Sequence, residues 1–124
     1  MAKKEKINPF KFTINDGEYA GEQYTLEATR ATVKFAESKG FIVSDVGSFP
    51  VTQLPDLFFY LFRANHKNVA RDKTDKILFD EFAPVPKEYI TRWFELYAEP
   101  MTALIATEET EEEARKNVRV TVEM

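Results

Sequence analysis

The strongest hydrophobic pattern of the chain lies between Tyr89 and Ile105. One apolar stripe recurs at helical spacing for about four turns, and its members are Ile90, Trp93, Phe94, Tyr97, Met101, Leu104 and Ile105. A second apolar row lies about a quarter-turn away, namely Tyr89, Leu96 and Ala103. A helix that is apolar on more than one side needs more than one neighbour. The pattern therefore predicts one helix kinked at Pro100, or two nearly coaxial helices, from Pro86 to about Ala106, in a protein whose role is contact.

The segment from Pro9 to Leu26 has the period-two pattern of a β-hairpin. Phe10, Phe12 and Ile14 alternate with polar residues, and Asn15-Asp16-Gly17 is a strong turn signal. Gly21 is expected to bend or bulge the returning strand. Because a lone two-stranded hairpin is marginal in water, it must pack on the helices.

Three further helices are predicted before the long one. The first runs from Leu26 to Lys39 and is closed by Gly40. Its two apolar groups lie on nearly opposite sides, so it is either sandwiched in the core or turned toward a partner on one side. The second begins at an N-cap Thr52, tolerates Pro55 in its first turn, and carries the core stripe Leu54, Leu57, Phe58, Leu61 and Phe62. The third runs from Asp72 to about Phe82, and Asp72 and Asp75 resemble a capping box.

These elements predict an α+β fold, mostly α-helical, with an N-terminal β-hairpin packed on about four helices. Residues 1–8 are expected to form a flexible, basic N-terminus, and 9–106 a single globular domain. Residues 107–124 form an acidic, charged tail. Within it the alternating valines predict a short strand at 118–122, which would pair with the hairpin edge or with a partner's edge.

Composition narrows the function classes. The chain has 124 residues, 44% of them hydrophobic, a net charge of −4 and no cysteine. This balance argues against nucleic acid as the main partner, and the absence of cysteine removes disulfides and thiolate sites. Neither a signal peptide nor a membrane-spanning apolar run is present, so we expect a cytoplasmic protein.

Little in the chain predicts catalysis. The only histidine, His66, stands among polar residues at the end of the second helix, where a charged imidazole suits the helix dipole. Asp72, Asp75, Asp80 and Glu81 lack the spacing of a calcium loop and are interpreted as a cap plus a solvated face. We therefore expect no enzyme, and no catalytic, metal or cofactor-binding residue.

The candidate partner-binding residues are apolar side chains that lie off the core stripes. Phe59 and Leu96 lie outside the stripes of their helices, Tyr60 flanks one stripe, and Tyr89 belongs to the second row of the long helix. The alternative is that these are ordinary exposed or core residues, since single exposed apolar side chains are normal. Trp93 has the chemistry of a binding hot spot, but its place on the main stripe favours the core.

The order of the elements resembles that of the tail assembly chaperones of long-tailed bacteriophages and prophages. The likeness runs from about Phe10 to the end. It rests on the layout and on three segments, Leu57-Phe58-Phe59-Tyr60-Leu61-Phe62-Arg63-Ala64, Trp93-Phe94-Glu95-Leu96-Tyr97 and Lys116-Asn117-Val118-Arg119-Val120. The resemblance implies a non-catalytic helper in the cytoplasm of an infected or lysogenic bacterium. Such a helper binds the tape measure protein and recruits tail tube subunits.

Other functions remain open at this point. One alternative is a virion structural protein, such as a head–tail connector or completion protein, and another is a small helical adaptor or regulator. Self-association is compatible with each of them. No cofactor, nucleic acid or membrane partner is expected.

Overall fold

The computed structural model of the chain describes residues 8–123. Within this range the fold is α+β and mostly helical, as predicted, with an N-terminal hairpin followed by helices. Two strands come first, β1 (Phe10–Thr13) and β2 (Gln23–Leu26). The helices are α1 (Arg30–Ser38), α2 (Pro50–Arg63), α3 (Arg71–Lys76), α4 (Lys87–Leu104) and α5 (Glu111–Asn117), with a 3₁₀ turn at Val43–Val46 and a π-helical turn at Ile77–Phe82. The predicted flexible terminus, residues 1–8, lies outside the described residues except for Asn8.

The hairpin is antiparallel, and Phe10 pairs with Leu26 and Thr13 with Gln23. Its turn is longer than the predicted Asn15-Asp16-Gly17 turn, because the chain makes a further turn before β2 begins. Gly21, at φ +90°, donates its N–H to the Ile14 carbonyl at 2.7 Å, while the Ile14 N–H donates to the Glu22 carbonyl at 2.9 Å. Gly21 and Glu22 thus lie opposite the single residue Ile14, which is a β-bulge whose first residue is a glycine with positive φ. The bulge predicted at Gly21 is confirmed.

The starts of the first two helices differ from the prediction. The segment Leu26–Ala28 does not belong to α1, which begins after the N-cap Thr29. The Thr29 hydroxyl accepts a hydrogen bond from the Thr32 N–H, and the Thr32 hydroxyl accepts one from the Thr29 N–H. Gly40 follows the α1 C-cap at φ +84°, as predicted. Helix α2 begins two residues before Thr52, with Pro50 in the first position, where a fixed φ suits a helix and no N–H is needed. Pro55 then lies inside α2.

The third predicted helix is composite. Regular α3 gives way to a π turn, in which the Ala83 N–H donates to the carbonyl of Leu78, five residues earlier, at 2.9 Å. This wider turn brings Ile77 and Phe82 toward the same side and leaves Phe79 exposed. The predicted capping box is wrong: the N-cap is Ala70 without a side-chain bond, and Asp75 instead accepts from Arg71 Nε at 2.9 Å.

Helix α4 is continuous through Pro100, and its buried residues end at Tyr97. Trp93, Leu96 and Tyr97 are buried, which confirms Trp93 as a core residue. The end of the main stripe is different, because Met101 and Leu104 are exposed. The predicted stripe therefore overestimates the buried length of α4, whose last turn extends past the core.

The core is a cluster of aromatic rings that joins the hairpin to three helical elements. Phe12 of β1 contacts the rings of Phe58 and Phe62 of α2 and of Phe82 in the π turn, with centroids 6.3, 6.2 and 4.9 Å apart. Trp93 adds α4, 5.1 Å from Phe58. The pairs of Phe12 with Phe62 and with Phe82 are edge-on, an arrangement that adds to the stabilisation from burial alone.

The C-terminal segment is helical but peripheral. Helix α5 has three glutamates in its first turn, basic residues in its last, and no buried residue. Residues 118–122 do not form the predicted strand; they follow α5 without regular structure, and their valines are exposed. Their alternation finds no partner strand within the described part of the chain.

No helix between residues 8 and 123 has the length and apolar character needed to cross a membrane.

Truncation of Phe58 to alanine should destabilise the protein strongly. The side chain is fully buried, and Phe→Ala substitutions in a core cost about 3–5 kcal/mol because a cavity remains. Phe49→Ala is the control, since this ring, just before α2, is 60% exposed and should change stability by about 0.5 kcal/mol or less. Urea unfolding measures both. Equal effects would show that the aromatic cluster is not the core.

Deletion of residues 107–124 should leave the thermal midpoint, measured at low protein concentration, nearly unchanged. The tail buries little apolar surface, so little stability offsets the entropy of ordering it. Calorimetry of the truncated chain measures the midpoint and also tests the prediction that 9–106 folds as a single domain. An insoluble or unfolded product would show that the tail completes the core.

Candidate functional site

One surface of the molecule is an apolar groove between the starts of α2 and α4 and the π turn. We call it the apolar groove; it is lined by Pro50, Val51, Leu54, Pro55, Leu78, Phe79, Ala83, Val85 and Ile90. Its volume is about 230 Å³. No residue that lines it carries an ionisable or hydrogen-bonding side chain.

Local backbone rules place the apolar side chains in this groove. The α2 start at Pro50 puts Val51 in the first helical turn, where it is 77% exposed. The π turn separates Phe79, 51% exposed, from its buried neighbour Leu78. Large apolar side chains held in water by regular backbone, and grouped on one surface, are typical of a contact site.

The chemistry of the apolar groove is that of contact alone. No side chain that lines it supplies a donor, an acceptor or a charge that would orient a polar ligand. Its volume is below the range of about 300–1,000 Å³ that is usual for small-molecule sites. Apolar side chains from another protein, such as those on one face of an amphipathic helix, are the occupants that fit these properties.

A second groove follows the outer edge of β1. We call it the β1-edge groove; it has a volume of about 580 Å³ and is lined by Phe10, Lys11, Phe12, Thr13, Ile14, Asn15, Asp16, Glu81, Phe82, Pro84, Pro86 and Tyr89. One wall is the strand itself. The other is the segment that joins the π turn to α4, in which the Ala83–Pro84 peptide bond is cis. This groove has charged residues at both ends, unlike the apolar groove.

A third depression lies between α1 and α2, with a volume of about 470 Å³. The Arg63 guanidinium stacks over the Phe35 ring at 3.9 Å in this depression. Burial raises the pKa of Tyr60, which also lines it, and the nearby Asp56 carboxylate adds to the effect. The Tyr60 hydroxyl stays protonated and the Arg63 guanidinium is stacked on Phe35, so neither group is placed for acid–base chemistry.

The four predicted partner-binding residues do not form one surface. Leu96 is 1% exposed and Tyr60 is buried against the rings of Phe35 and Phe41, so both are core residues and the prediction of a free face is wrong for them. The physical reason is that α2 and α4 each pack on more than one neighbour. An off-stripe residue then meets a second element of the core instead of solvent.

The other two residues are partly accessible. Phe59 is half-buried, and its ring lies 5.5 Å from the Arg71 guanidinium, which is itself held by Asp56 at 2.6 Å. Tyr89 is half-buried against Phe10 and lines the β1-edge groove. Of the predicted set, Tyr89 alone lies in one of the grooves described above.

Three residues of the apolar groove lie outside the predicted helices, because Val51 precedes the predicted cap Thr52, and Ala83 and Val85 lie between the predicted ends at Phe82 and Pro86. Phe79 lies within a predicted helix, three residues before Phe82. Reading it as exposed requires the π turn, which the hydrophobic period does not show.

A titratable cluster ties the hairpin to α3. The Tyr24 hydroxyl donates to the Glu22 carboxylate, and Lys73 Nζ lies 2.9 Å from Glu22 Oε1 and 4.7 Å from the centre of the Tyr19 ring. Hydrogen bonds to Tyr24 and Glu22 raise the pKa of Lys73, while those from Tyr24 and Lys73 lower the pKa of Glu22. Both groups therefore stay charged near neutral pH, which suits a structural ion pair and disfavours a lysine nucleophile.

Between residues 8 and 123, no three side chains of His, Cys, Asp or Glu are grouped so as to hold a metal ion.

Comparison with known proteins places the chain in a family. A family model described as a domain of unknown function, DUF5055, matches residues 1–124. The chain belongs to the DUF5055 family. No curated protein and no solved structure matches it. Because the match covers the whole sequence, the hairpin, the helices and the acidic segment of this DUF5055 member all fall within the family's extent.

The environment of His66 differs from the predicted surface site. Its Nε2 accepts a hydrogen bond from the Thr25 N–H at 3.2 Å, and its ring lies 5.0 Å from Tyr24 and 5.3 Å from Phe62. Burial lowers the pKa of the imidazole, so the residue is neutral and connects β2 to the end of α2. The predicted stabilisation of a charged imidazole by the helix dipole is wrong for this position.

The stability of the protein should fall as the pH is lowered through the pKa of His66. The folded-state pKa lies below the unfolded value of about 6.5, so the contribution of His66 is complete above that value and lost as pH falls through the folded pKa. Chemical unfolding between about pH 7.5 and 5 measures the slope, because this single histidine is the only side chain that ordinarily titrates there.

His66→Gln is the matched control, since an amide oxygen accepts a hydrogen bond and does not titrate. Its stability should be flat over the same range. An equal slope in both proteins would exclude His66 as the titrating group.

Proposed function

We propose that the protein is a non-catalytic tail assembly chaperone of a long-tailed bacteriophage or prophage. It binds the tape measure protein and recruits tail tube subunits, and it acts in the cytoplasm of the infected or lysogenic bacterium. The resemblance in element order supports the class of function. The apolar groove supports the mode of binding, because it offers contact without chemistry.

The apolar groove is the observation on which this proposal depends. Its exposed side chains, Val51 and Phe79, come from two different elements and are both fixed by regular backbone. A long amphipathic helix presents apolar residues every three or four positions, and such residues can enter a shallow groove one at a time. Binding of this kind keeps the apolar stripe of a client helix out of water and so keeps the client soluble.

Charge on the molecule suits a transient complex. The first turn of α5 carries Glu111, Glu112 and Glu113, all outside the core. Together with the net charge of −4, these carboxylates keep a complex with an apolar client in solution. They also steer basic segments of a client toward the molecule, an effect that falls with added salt.

Substitution of the two exposed groove residues should reduce client binding without unfolding the protein. Val51→Ser and Phe79→Ser remove apolar side chains that are mostly in water, so each should change stability by about 0.5 kcal/mol or less. The double variant should bind a fragment of the tape measure protein from the same phage genome roughly tenfold more weakly, which corresponds to about 1.4 kcal/mol. Co-expression and measurement of the soluble fragment provide the first readout, and calorimetric titration the second.

Ile42→Ser is the control, because this residue is 55% exposed and lies outside the groove. If the double variant keeps the fragment as soluble as Ile42→Ser does, the groove does not bind the client. If wild-type protein fails to solubilise any fragment and is retained in purified virions, the structural connector class is favoured instead.

A further inference from the structure

The outer edge of β1 is an open strand edge. The Ile14 N–H donates to the Glu22 carbonyl, so this rung of the hairpin is hydrogen-bonded. Rungs alternate in an antiparallel pair, and the next one, Thr13 with Gln23, is therefore not hydrogen-bonded. The N–H and C=O of Thr13 point away from β2, as do those of Lys11 one alternation further. Within residues 8–123, none of these four groups has a hydrogen-bond partner.

The outer edge of β2 has hydrogen-bond partners at Thr25, unlike the outer edge of β1. The N–H of Thr25 donates to His66 Nε2 at 3.2 Å, and its carbonyl accepts from Asn65 Nδ2 at 3.5 Å. The Glu27 N–H donates to the Leu61 carbonyl at 3.1 Å. Leu61 of α2 and the two residues Asn65 and His66 just after α2 thus cover the outer edge of β2 at Thr25 and beyond, and the asymmetry leaves β1 as the edge that can accept another strand.

The surroundings of β1 have room for that strand. The β1-edge groove, about 580 Å³, follows every residue of β1 on its open side. Its far wall is the ring of Tyr89 with Pro84 and Pro86, an apolar surface on the inner face of any added strand. An added strand would therefore gain backbone hydrogen bonds along β1 and apolar contact with this wall.

The chain itself contains a segment with the pattern such a site needs. Val118, Val120 and Val122 alternate with Arg119, Thr121 and Glu123, and the three valines are 55–70% exposed. Val118 is already in the extended conformation. An alternating valine segment without a partner strand is a strong strand former that lacks only an edge.

We propose that the segment Val118–Glu123 of a second copy of this chain adds to β1 as an antiparallel third strand, and that two copies exchange these segments. The inference does not depend on the proposed function. In this arrangement each copy gives its C-terminal segment to its partner and receives one in return, a closed two-fold exchange.

Charge specifies the direction and the register. If Thr121 stands opposite Thr13, Glu123 stands opposite Lys11, so opposite charges meet at that end of the strand pair. Val120 and Val122 then share the inner face with Ile14 and Phe12. In a parallel alignment Arg119 would stand near Lys11, and like charges in neighbouring strands are destabilising.

The geometry of α4 favours a second copy over the molecule's own tail. Tyr89, in the first turn of α4, lines the groove, and the helix from Tyr89 to Leu104 carries the chain about 22 Å away from it. Six residues separate α4 from α5 and can span about 20 Å at most when fully extended. The seven residues of α5 add about 10 Å. A tail that returned to its own groove would need most of this reach, whereas a partner's tail has no such constraint.

The test is the oligomeric state of matched proline variants of the full chain. Thr13 and Gln23 stand opposite each other in one rung, and each N–H points away from the other strand. Thr13→Pro removes the outward donor of β1, and Gln23→Pro removes the outward donor of β2; neither removes a bond within the hairpin. Sedimentation velocity should show a concentration-dependent dimer for wild type and Gln23→Pro, with a dissociation constant at least about tenfold higher for Thr13→Pro.

Charge reversal keeps the test independent of any folding defect in the proline variants. Glu123→Lys should weaken the dimer by placing a lysine opposite Lys11, and Lys11→Glu in the same chain should restore it. A wild-type chain that is monomeric at all concentrations overturns the proposal. So does a dimer unaffected by both Thr13→Pro and Glu123→Lys.

Hydrogen exchange distinguishes a tail bound to a second copy from a tail bound to its own chain. The Thr13 amide should be protected at high protein concentration and exchange freely at low concentration. Protection that is independent of concentration would show that the tail binds its own chain, and it would overturn the exchange between copies.

Discussion

The packing of the hairpin's Phe12 against rings from α2 and from the π turn is the contact on which the rest of the structure depends. A two-stranded hairpin alone is marginal in water, and here its apolar face is covered by Phe58, Phe62 and Phe82. Because Phe58 also contacts Trp93, the same cluster fixes the position of the first half of α4. Both grooves lie at the borders between these elements, so their shapes follow from this one aromatic packing.

Both strands of the hairpin pack on the aromatic core, but polar contacts make the outer edges of β1 and β2 different. His66 and Asn65 bind Thr25, and so join the segment just after α2 to β2. On the other side, the segment after the π turn stays far enough from β1 to leave a groove. A closed edge and an open edge on the same small sheet are the result. The neutral state of His66 is a condition of the closed one, because a protonated Nε2 accepts no hydrogen bond.

The sequence predicts the elements of this fold better than it predicts their surfaces. Alternation at Phe10, Phe12 and Ile14 and the left-handed preference of Gly21 are local signals, and the hairpin and its bulge followed from them. The burial of Leu96 depends on α4 meeting both α1 and α2, which is information about distant segments that a single helical period does not contain. The apolar groove depends on similar information, because its residues come from the start of α2, from the π turn with the segment after it, and from α4, and only the folded chain brings these segments together.

The π turn has a consequence for how related chains can vary. A π turn is equivalent to an α-helix with one residue inserted, so the loss of a single residue between Ile77 and Phe82 would return it to regular α-helix. The side chains after the deletion would then rotate by about 100° relative to those before it. Phe79 and Phe82 could no longer hold their present opposite roles, one in solvent and the other in the aromatic cluster. Lengths of this segment in other members of the family therefore report directly on whether they keep the same exposed phenylalanine.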